Sequence, residues 1–202
     1  FFGAVIVRTI GALVFPGFEL LDLYGPLEMF GLNQDEFEIT IVAQTMEPVA
    51  ATPGPRTNPD ETFGDRERYD LLLVPGGMGS RAGMENETLL RWLAQHCERA
   101  EIVASVCTGS ALLAGAGVLD GRRATSNKRA WDWVVSQGPK VEWVRRARWV
   151  EDGKFFTSSG ISAGTDMSLA LIEKLLGTQA METIAKRAEY VRNEQHDNDP
   201  FA

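Results

Sequence analysis

Cys107 is the residue in this chain best placed for chemistry. It ends the run Ile102-Val103-Ala104-Ser105-Val106, which is short, apolar and rich in β-branched residues. Such a run predicts a buried parallel strand. The stretch after it, Thr108 to Val118, is small and apolar, and Gly109, Gly115 and Gly117 favour close packing. A strand, one reactive side chain and a tight turn into a helix make up the layout of a nucleophile elbow. A thiol there stands at the carboxyl edge of the sheet, where the helix's first N–H groups are expected to lower its pKa. The same pattern also suits a structural cysteine, because free cysteine is among the most buried residue types.

Asp22 is the second candidate. It is expected in a loop among Leu20, Leu21 and Leu23, just after the first predicted strand. Apolar surroundings raise a carboxyl's pKa, and a neutral acid beside a thiolate can donate a hydrogen bond and then a proton. Its alternative role is helix capping, although it stands four residues before Pro26. Gly76 and Gly77 follow another buried strand in Pro75-Gly76-Gly77-Met78-Gly79. Their backbone N–H groups are expected to approach substrate and stabilise developing negative charge, or simply to form a tight turn. The pair matches neither a Rossmann nor a P-loop fingerprint. Thr108 offers a hydroxyl and an N–H beside the thiol, or a cap for the following helix. The small-residue run Ser158 to Gly164, with Ile161, is expected to shape a pocket wall, and Asp166 to be structural. The only histidines are His96, on a predicted amphipathic helix, and His196, in a polar tail. Neither is expected beside Cys107, which disfavours a Cys-His protease or amidase. No metal-ligand cluster is visible either.

The elements that must position these residues follow from periodicity and turn signals. Strands are expected over residues 9–15, 37–43, 70–74, 102–106, 124–126 and 154–158, with one or two more within 141–150. Helices are expected from Pro26 to about residue 32, then over 85–99, 108–118, 129–136, 162–176 and 178–192. Residues 46–68, with four prolines, read as irregular with a small hairpin, and 193–202 as a frayed tail. Alternating strands and helices give a single α/β domain over 1–202, with a largely parallel central sheet and helices on both faces. That architecture binds ligands outside the carboxyl ends of its strands. Asp22, Gly76-Gly77, Cys107-Thr108 and Ser159-Gly160-Ile161 all fall at such ends and should meet.

Composition narrows the function classes. With 202 residues and a net charge of −8, the chain has a sizeable core and no basic face for nucleic acid. Two cysteines ten positions apart form no disulfide framework, so a reducing, cytoplasmic compartment is expected. No apolar stretch reaches the ~20 residues of a membrane span. Phe1 to Val7 is apolar but carries no basic leader, and reads as an extra edge strand or a vector-derived remnant.

These motifs resemble the ThiJ/PfpI superfamily, whose flavodoxin-like sandwich is related to class I glutamine amidotransferases, and within it the isocyanide (isonitrile) hydratase branch. The resemblance is carried by Phe15-Pro16 with Leu21-Asp22-Leu23-Tyr24-Gly25-Pro26, by Val74-Pro75-Gly76-Gly77 and by Ser105-Val106-Cys107-Thr108-Gly109-Ser110. It continues in Leu119-Asp120-Gly121-Arg122-Arg123-Ala124-Thr125 and in Ser159-Gly160-Ile161-Ser162-Ala163-Gly164-Thr165-Asp166. It implies a homodimer with Cys107 as nucleophile, Asp22 as its acidic partner and Thr108 as a polar neighbour. Gly76, Gly77 and Ile161 would line a pocket for a small electrophile, an isocyanide, with no cofactor. Asp at 22 and Thr at 108 resemble the hydratase branch and depart from branches that pair cysteine with Glu and His. The chain departs from the hydratases at Asn127-Lys128, where they carry His-Trp, a change expected to touch the pocket or the dimer contact. The alternatives are a ligand sensor like those fused to AraC-type regulators, a redox sensor, and a glyoxalase- or hydrolase-like enzyme.

Overall fold

The computed structural model describes residues 7–202, so all but the last residue of the Phe1 to Val7 segment lies outside the described residues. The elements run β1 (Arg8–Leu13), α1 (Leu20–Gly31), β2 (Phe37–Ala43), β3 (Val49–Ala50), β4 (Arg56–Thr57), β5 (Glu61–Thr62) and β6 (Leu71–Val74). They continue with α2 (Ser80–Gly83), α3 (Glu87–Arg99), β7 (Ile102–Val106), α4 (Gly109–Gly115), β8 (Arg123–Ala124) and α5 (Trp131–Gln137). The last are β9 (Glu142–Trp143), β10 (Trp149–Asp152), β11 (Phe155–Ser158), α6 (Ala163–Leu176) and α7 (Thr178–Arg187).

Seven strands form the main sheet in the order β10-β11-β7-β6-β1-β2-β5. Every neighbouring pair is parallel except β10 with β11, which is antiparallel. Leu73 of β6 lies opposite Ala12 of β1 on one side and Ala104 of β7 on the other. The residues of β6 and β7 are buried throughout because helices cover both faces of the sheet. On one side α1 packs on α6 and α6 on α7; on the other α2, α3 and α5 pack on α4. Burying one Leu of β6 completely contributes about 1.5–3 kcal/mol, so this central stripe holds the layers together. The predicted hairpin in residues 46–68 is β3–β4, and β5 adds an edge strand beside β2.

Three expectations are corrected. Residues 20–25 are not a loop: α1 begins at Leu20, which puts Asp22 in its first turn and Pro26 inside the helix. Pro26 has no N–H to donate to the Asp22 carbonyl, yet Leu23, Leu27 and Phe30 bury one face of α1, and that burial outweighs one missing bond. The last helix stops at Arg187 instead of continuing to 192. The tail beyond it is not frayed. Arg148 and Trp149 donate their N–H groups to the His196 carbonyl (2.7 and 3.1 Å), and the Asp199 N–H donates to Arg146 (2.7 Å).

Asp166 anchors this tail and is structural, as expected. Its Oδ2 accepts two bonds from the Arg148 guanidinium (2.8 and 2.6 Å). Its Oδ1 accepts the Tyr190 hydroxyl and the Asn193 N–H, both at 2.9 Å. Replacing Asp166 with Ala would strand the buried Arg148 charge. Asp166→Ala is therefore expected to lose about 3–5 kcal/mol in urea unfolding, because one partner of a buried pair is left uncompensated. A loss below ~1 kcal/mol, the value of a surface pair, would mean that the tail is held by other contacts.

Candidate active site

Cys107 lies between β7 and α4 with φ 56, in the left-handed region that side chains other than glycine rarely adopt. Such a conformation costs on the order of 1–3 kcal/mol and persists only where its surroundings enforce it. Here the Cys107 N–H donates to the carbonyls of Ser158 (3.1 Å) and Ser159 (3.3 Å) at the end of β11. Its carbonyl accepts the Ser126 hydroxyl (2.8 Å) and the Ser110 hydroxyl (3.2 Å). The turn is thus tied on both sides, and the side chain is presented at the carboxyl edge of the sheet.

Asp22 reaches the same point from the first turn of α1 and is fully buried. Its Oδ2 accepts the Gly76 N–H at 2.9 Å, while Oδ1 has no hydrogen-bond partner. The Cys107 thiol is the side chain beside the carboxyl. Burial pushes the Asp22 pKa up to about 8, and the nearby negative charge of Glu19 adds to the shift; the Gly76 N–H and the neighbouring thiol oppose it. At neutral pH the carboxyl is therefore protonated, as the sequence suggested. With Oδ2 taken by an N–H, the proton belongs on Oδ1.

The thiol departs from expectation. Burial raises the Cys107 pKa well above the usual thiol range, and the adjacent Asp22 raises it further. Bonds from the Thr108 N–H, the Asn127 amide and the Thr108 hydroxyl pull the other way without offsetting the desolvation. A short helix start does not produce a free thiolate in so dry a position. Two anions side by side in this volume would repel strongly, so thiol and acid hold at least one proton between them.

Gly76 and Gly77 are at the site, but their N–H groups are not free to stabilise an anion. The Gly76 N–H is committed to Asp22, and the Gly77 N–H donates to Thr108 Oγ1 at 3.0 Å. Their smallness matters more. A Cβ on Gly76 would stand 2.4 Å from the Thr108 nitrogen, so only glycine lets the turn after β6 approach the Cys107 turn. Thr108 makes no side-chain cap to α4. Its hydroxyl instead lies 2.8 Å from the Ser80 hydroxyl, which fastens α2 to this corner. Ile161 lines the same cavity as Cys107, Thr108 and Gly77, a space of about 320 Å³. A larger cavity, about 420 Å³, lies among Phe15, Ala43, Val49 and Phe63 and does not include Cys107.

Asn127, singled out in the sequence only as a departure, is part of the site. Its Oδ1 accepts the Ala130 N–H at 3.0 Å, which turns the amide nitrogen toward the Cys107 sulfur. Lys128 fixes this segment from behind. Its amine donates to Thr125 Oγ1 (2.8 Å) and to the carbonyls of Ala147 (2.8 Å) and Ser126 (3.1 Å). It also lies 3.9 Å from the buried Asp199 of the tail. Burial lowers its pKa to about 8. An Asn followed by a buried Lys carries no recognisable site signal in sequence. Both histidines are elsewhere: His96 stacks on Trp92, and His196 packs beside Trp149. Among the described residues no group of His, Cys, Asp or Glu could hold a metal ion.

Two predictions follow from this geometry. Between about pH 4 and 8 the folded state holds a proton on Asp22 that the unfolded chain has released. Stability therefore falls as pH rises through that window, by up to about 1.4 kcal/mol per pH unit from this group. Asp22→Asn removes that slope, so denaturant unfolding at pH 5 and pH 8 should show the variant gaining on the parent at the higher pH; parallel curves would contradict a buried neutral acid. The second concerns Gly160, where a Cβ would come 2.2 Å from Asn127 Nδ2 and 3.1 Å from Cys107 Sγ. Gly160→Ala should displace the amide and slow Cys107 alkylation by iodoacetamide roughly tenfold to a hundredfold, with an unchanged far-UV spectrum.

Comparison with known proteins bears on this arrangement. The sequence profile of the DJ-1/PfpI family matches residues 8–174. The chain is 35% identical to an isonitrile hydratase of Pseudomonas putida over 181 residues, covering 90% of this chain and 78% of that protein. It is 28% identical to the HTH-type transcriptional regulator CdhR of Pseudomonas aeruginosa, covering 87% of this chain but 53% of the regulator. The crystal structure of a ThiJ/PfpI family protein from Pseudomonas syringae superimposes with a TM-score of 0.86 at 32% identity, over 94% of this chain and 77% of that one. A family match spanning most of the chain, on a sheet whose strained Cys107 turn stands between β7 and α4, means that the protein belongs to the DJ-1/PfpI family.

Proposed function

We propose that the protein is a cofactor-independent hydratase that converts an isocyanide into an N-substituted formamide, with Cys107 as nucleophile and Asp22 as acid and base. The observation that carries this is the buried pair itself: a thiol with a protonated carboxyl in reach and no histidine lining the cavity. The terminal carbon of R–N≡C is unusual in having to accept a nucleophile and a proton on the same atom. A thiol and an acid directed at one point suit that demand. A hydrolase acting on an amide would instead need a general base for the nucleophile whose conjugate acid then protonates the departing nitrogen.

The reactive form holds one proton between the two groups, which rests on the sulfur and passes to Asp22 as the thiol attacks. Sγ forms a bond to the isocyanide carbon, and Asp22 gives its proton to that carbon, leaving an S-linked thioformimidate, R–N=CH–S, and the Asp22 carboxylate. Asp22 then takes a proton from water as the oxygen bonds to the same carbon. That proton passes to nitrogen, and collapse of the adduct breaks the C–S bond. The formamide R–NH–CHO leaves, and the hydroxyl proton returns through Asp22 to the sulfur. Atoms and charge balance with one water consumed. Asn127 and the Thr108 N–H hold the sulfur by hydrogen bonds, and Gly76 holds the acid. The similarity to an isonitrile hydratase supports this assignment.

A homodimer belongs to the same proposal. Leu21, Ile161 and Phe201 border one trench beside the cavity, and all three are exposed, which supplies an apolar face for a second copy. A cytoplasmic, reducing setting keeps both buried cysteines as free thiols. No helix among the described residues is long and apolar enough to cross a membrane. Redox sensing is less well supported, because sensor thiols are exposed and of low pKa, whereas Cys107 is buried with its pKa raised.

The test is turnover of p-nitrophenyl isocyanide, followed as formamide formation. Wild type should turn over, and Cys107→Ala and Asp22→Asn should each lose on the order of a hundredfold or more in kcat. Full activity in Cys107→Ala would refute covalent catalysis; activity retained in Asp22→Asn would leave Asp22 a structural residue.

A further inference from the structure

The cavity around Cys107 carries an uneven distribution of charge that the chemistry above does not use. Its ionisable lining consists of Glu19, Arg81 and Arg129 together with the thiol. Glu19 belongs to the α1 wall, where its charge acts on Asp22. The two arginines come from other elements, α2 and the segment entering α5. Neither arginine forms an ion pair among the described residues.

Arg81 is held in place. Its guanidinium stacks over the Trp133 ring at 4.5 Å from the centroid, and Nη1 lies 3.7 Å from the sulfur of Met78, another lining residue. Stacking fixes the plane of the fork while leaving its N–H edge free to bind an oxyanion with two parallel bonds. With Asp22 protonated and the thiol uncharged at neutral pH, the lining sums to one net positive charge, two arginines against one glutamate. The chain as a whole carries −8. A locally positive, concave mouth on an acidic protein concentrates small anions.

We infer that Arg81 and Arg129 form an anion subsite of the Cys107 cavity, and that the substrate carries a carboxylate a few bonds from the carbon that Sγ attacks. On the hydratase proposal above, the substrate class is an isocyanide bearing a carboxylate; the charge preference rests on the arginines and stands whatever the electrophile. The volume of about 320 Å³ suits a small molecule of this kind. The carboxylate sits between the two guanidinium groups, and the reactive carbon points at Cys107.

The experiment reads charge preference separately from turnover. Second-order alkylation of Cys107 is measured with iodoacetate, which is anionic, and iodoacetamide, its neutral analogue, in wild type, in Arg81→Gln/Arg129→Gln and in Arg91→Gln. Arg91 is exposed on α3, outside the cavity, and controls for the loss of a positive charge elsewhere on the surface. The iodoacetate-to-iodoacetamide rate ratio should fall about fivefold to tenfold in the double variant, as two partly solvated ion pairs allow. It should stay within twofold in Arg91→Gln, and salt should shrink the difference. An equal ratio in wild type and double variant, or an equal fall in Arg91→Gln, would overturn the subsite. A parallel comparison of 4-isocyanobenzoate with its methyl ester should give a higher kcat/KM for the acid in wild type. Equal turnover of acid and ester would refute the subsite and leave the hydratase proposal intact. A shifted alkylation ratio with no turnover of either compound would uphold the subsite and refute the hydratase proposal.

Discussion

A carboxyl and a thiol buried against each other are the constraint on which the rest of this site depends. Neither can ionise cheaply where water is excluded, and both cannot ionise together. The fold meets this by giving each group fixed partners: the Gly76 N–H for Asp22, and the Thr108 and Asn127 donors for the sulfur. The orphaned Asp22 Oδ1 is then no defect but the place for the shared proton. A polar group left without a partner in a core ordinarily costs about 1–3 kcal/mol, which is tolerated where the group has work to do.

Holding that pair needs contributions from distant parts of the chain. The left-handed turn at Cys107 is fastened by β11 through Ser158 and Ser159 and by Ser126 from the loop after β8. Asn127 is aimed by Ala130 and backed by Lys128, whose amine is surrounded by carbonyls and faces Asp199 of the tail. The tail in turn is tied to Asp166 and the Arg148 region. The last residues of the chain therefore bear on the geometry of a thiol at its centre, through hydrogen bonds and the 3.9 Å charge contact between Lys128 and Asp199.

The site also carries charge of both signs. Burial keeps Asp22 protonated at neutral pH, and Glu19 at the start of α1 adds a smaller contribution through its negative charge. The arginines come from other elements and are not among the groups that shift that pKa. Drawing the two signs from different elements lets a small cavity keep its acid protonated and still attract an anion.

The amino-acid pattern by itself determined the architecture and the central candidates. Short apolar runs closed by Pro and Gly, such as Leu71-Leu72-Leu73-Val74, read as strands covered on both faces, and strands of that type alternating with helices leave few arrangements. Cys107 and Asp22 were legible because reactive types at strand ends stand out against apolar neighbours. What the pattern misjudged was set by contacts between residues far apart. Asp22 sits in a helix because burial of Leu23, Leu27 and Phe30 against the fold outweighs the break signalled by Pro26. The thiol pKa rises because desolvation is a property of the assembled core, invisible in a local motif. The glycine N–H groups are occupied because Asp22 and Thr108 arrive from 54 and 31 positions away. Asn127, Arg81 and Arg129 join one cavity only once α1, α2 and the segment before α5 converge on the same sheet edge, and spacing along the chain carries no record of that.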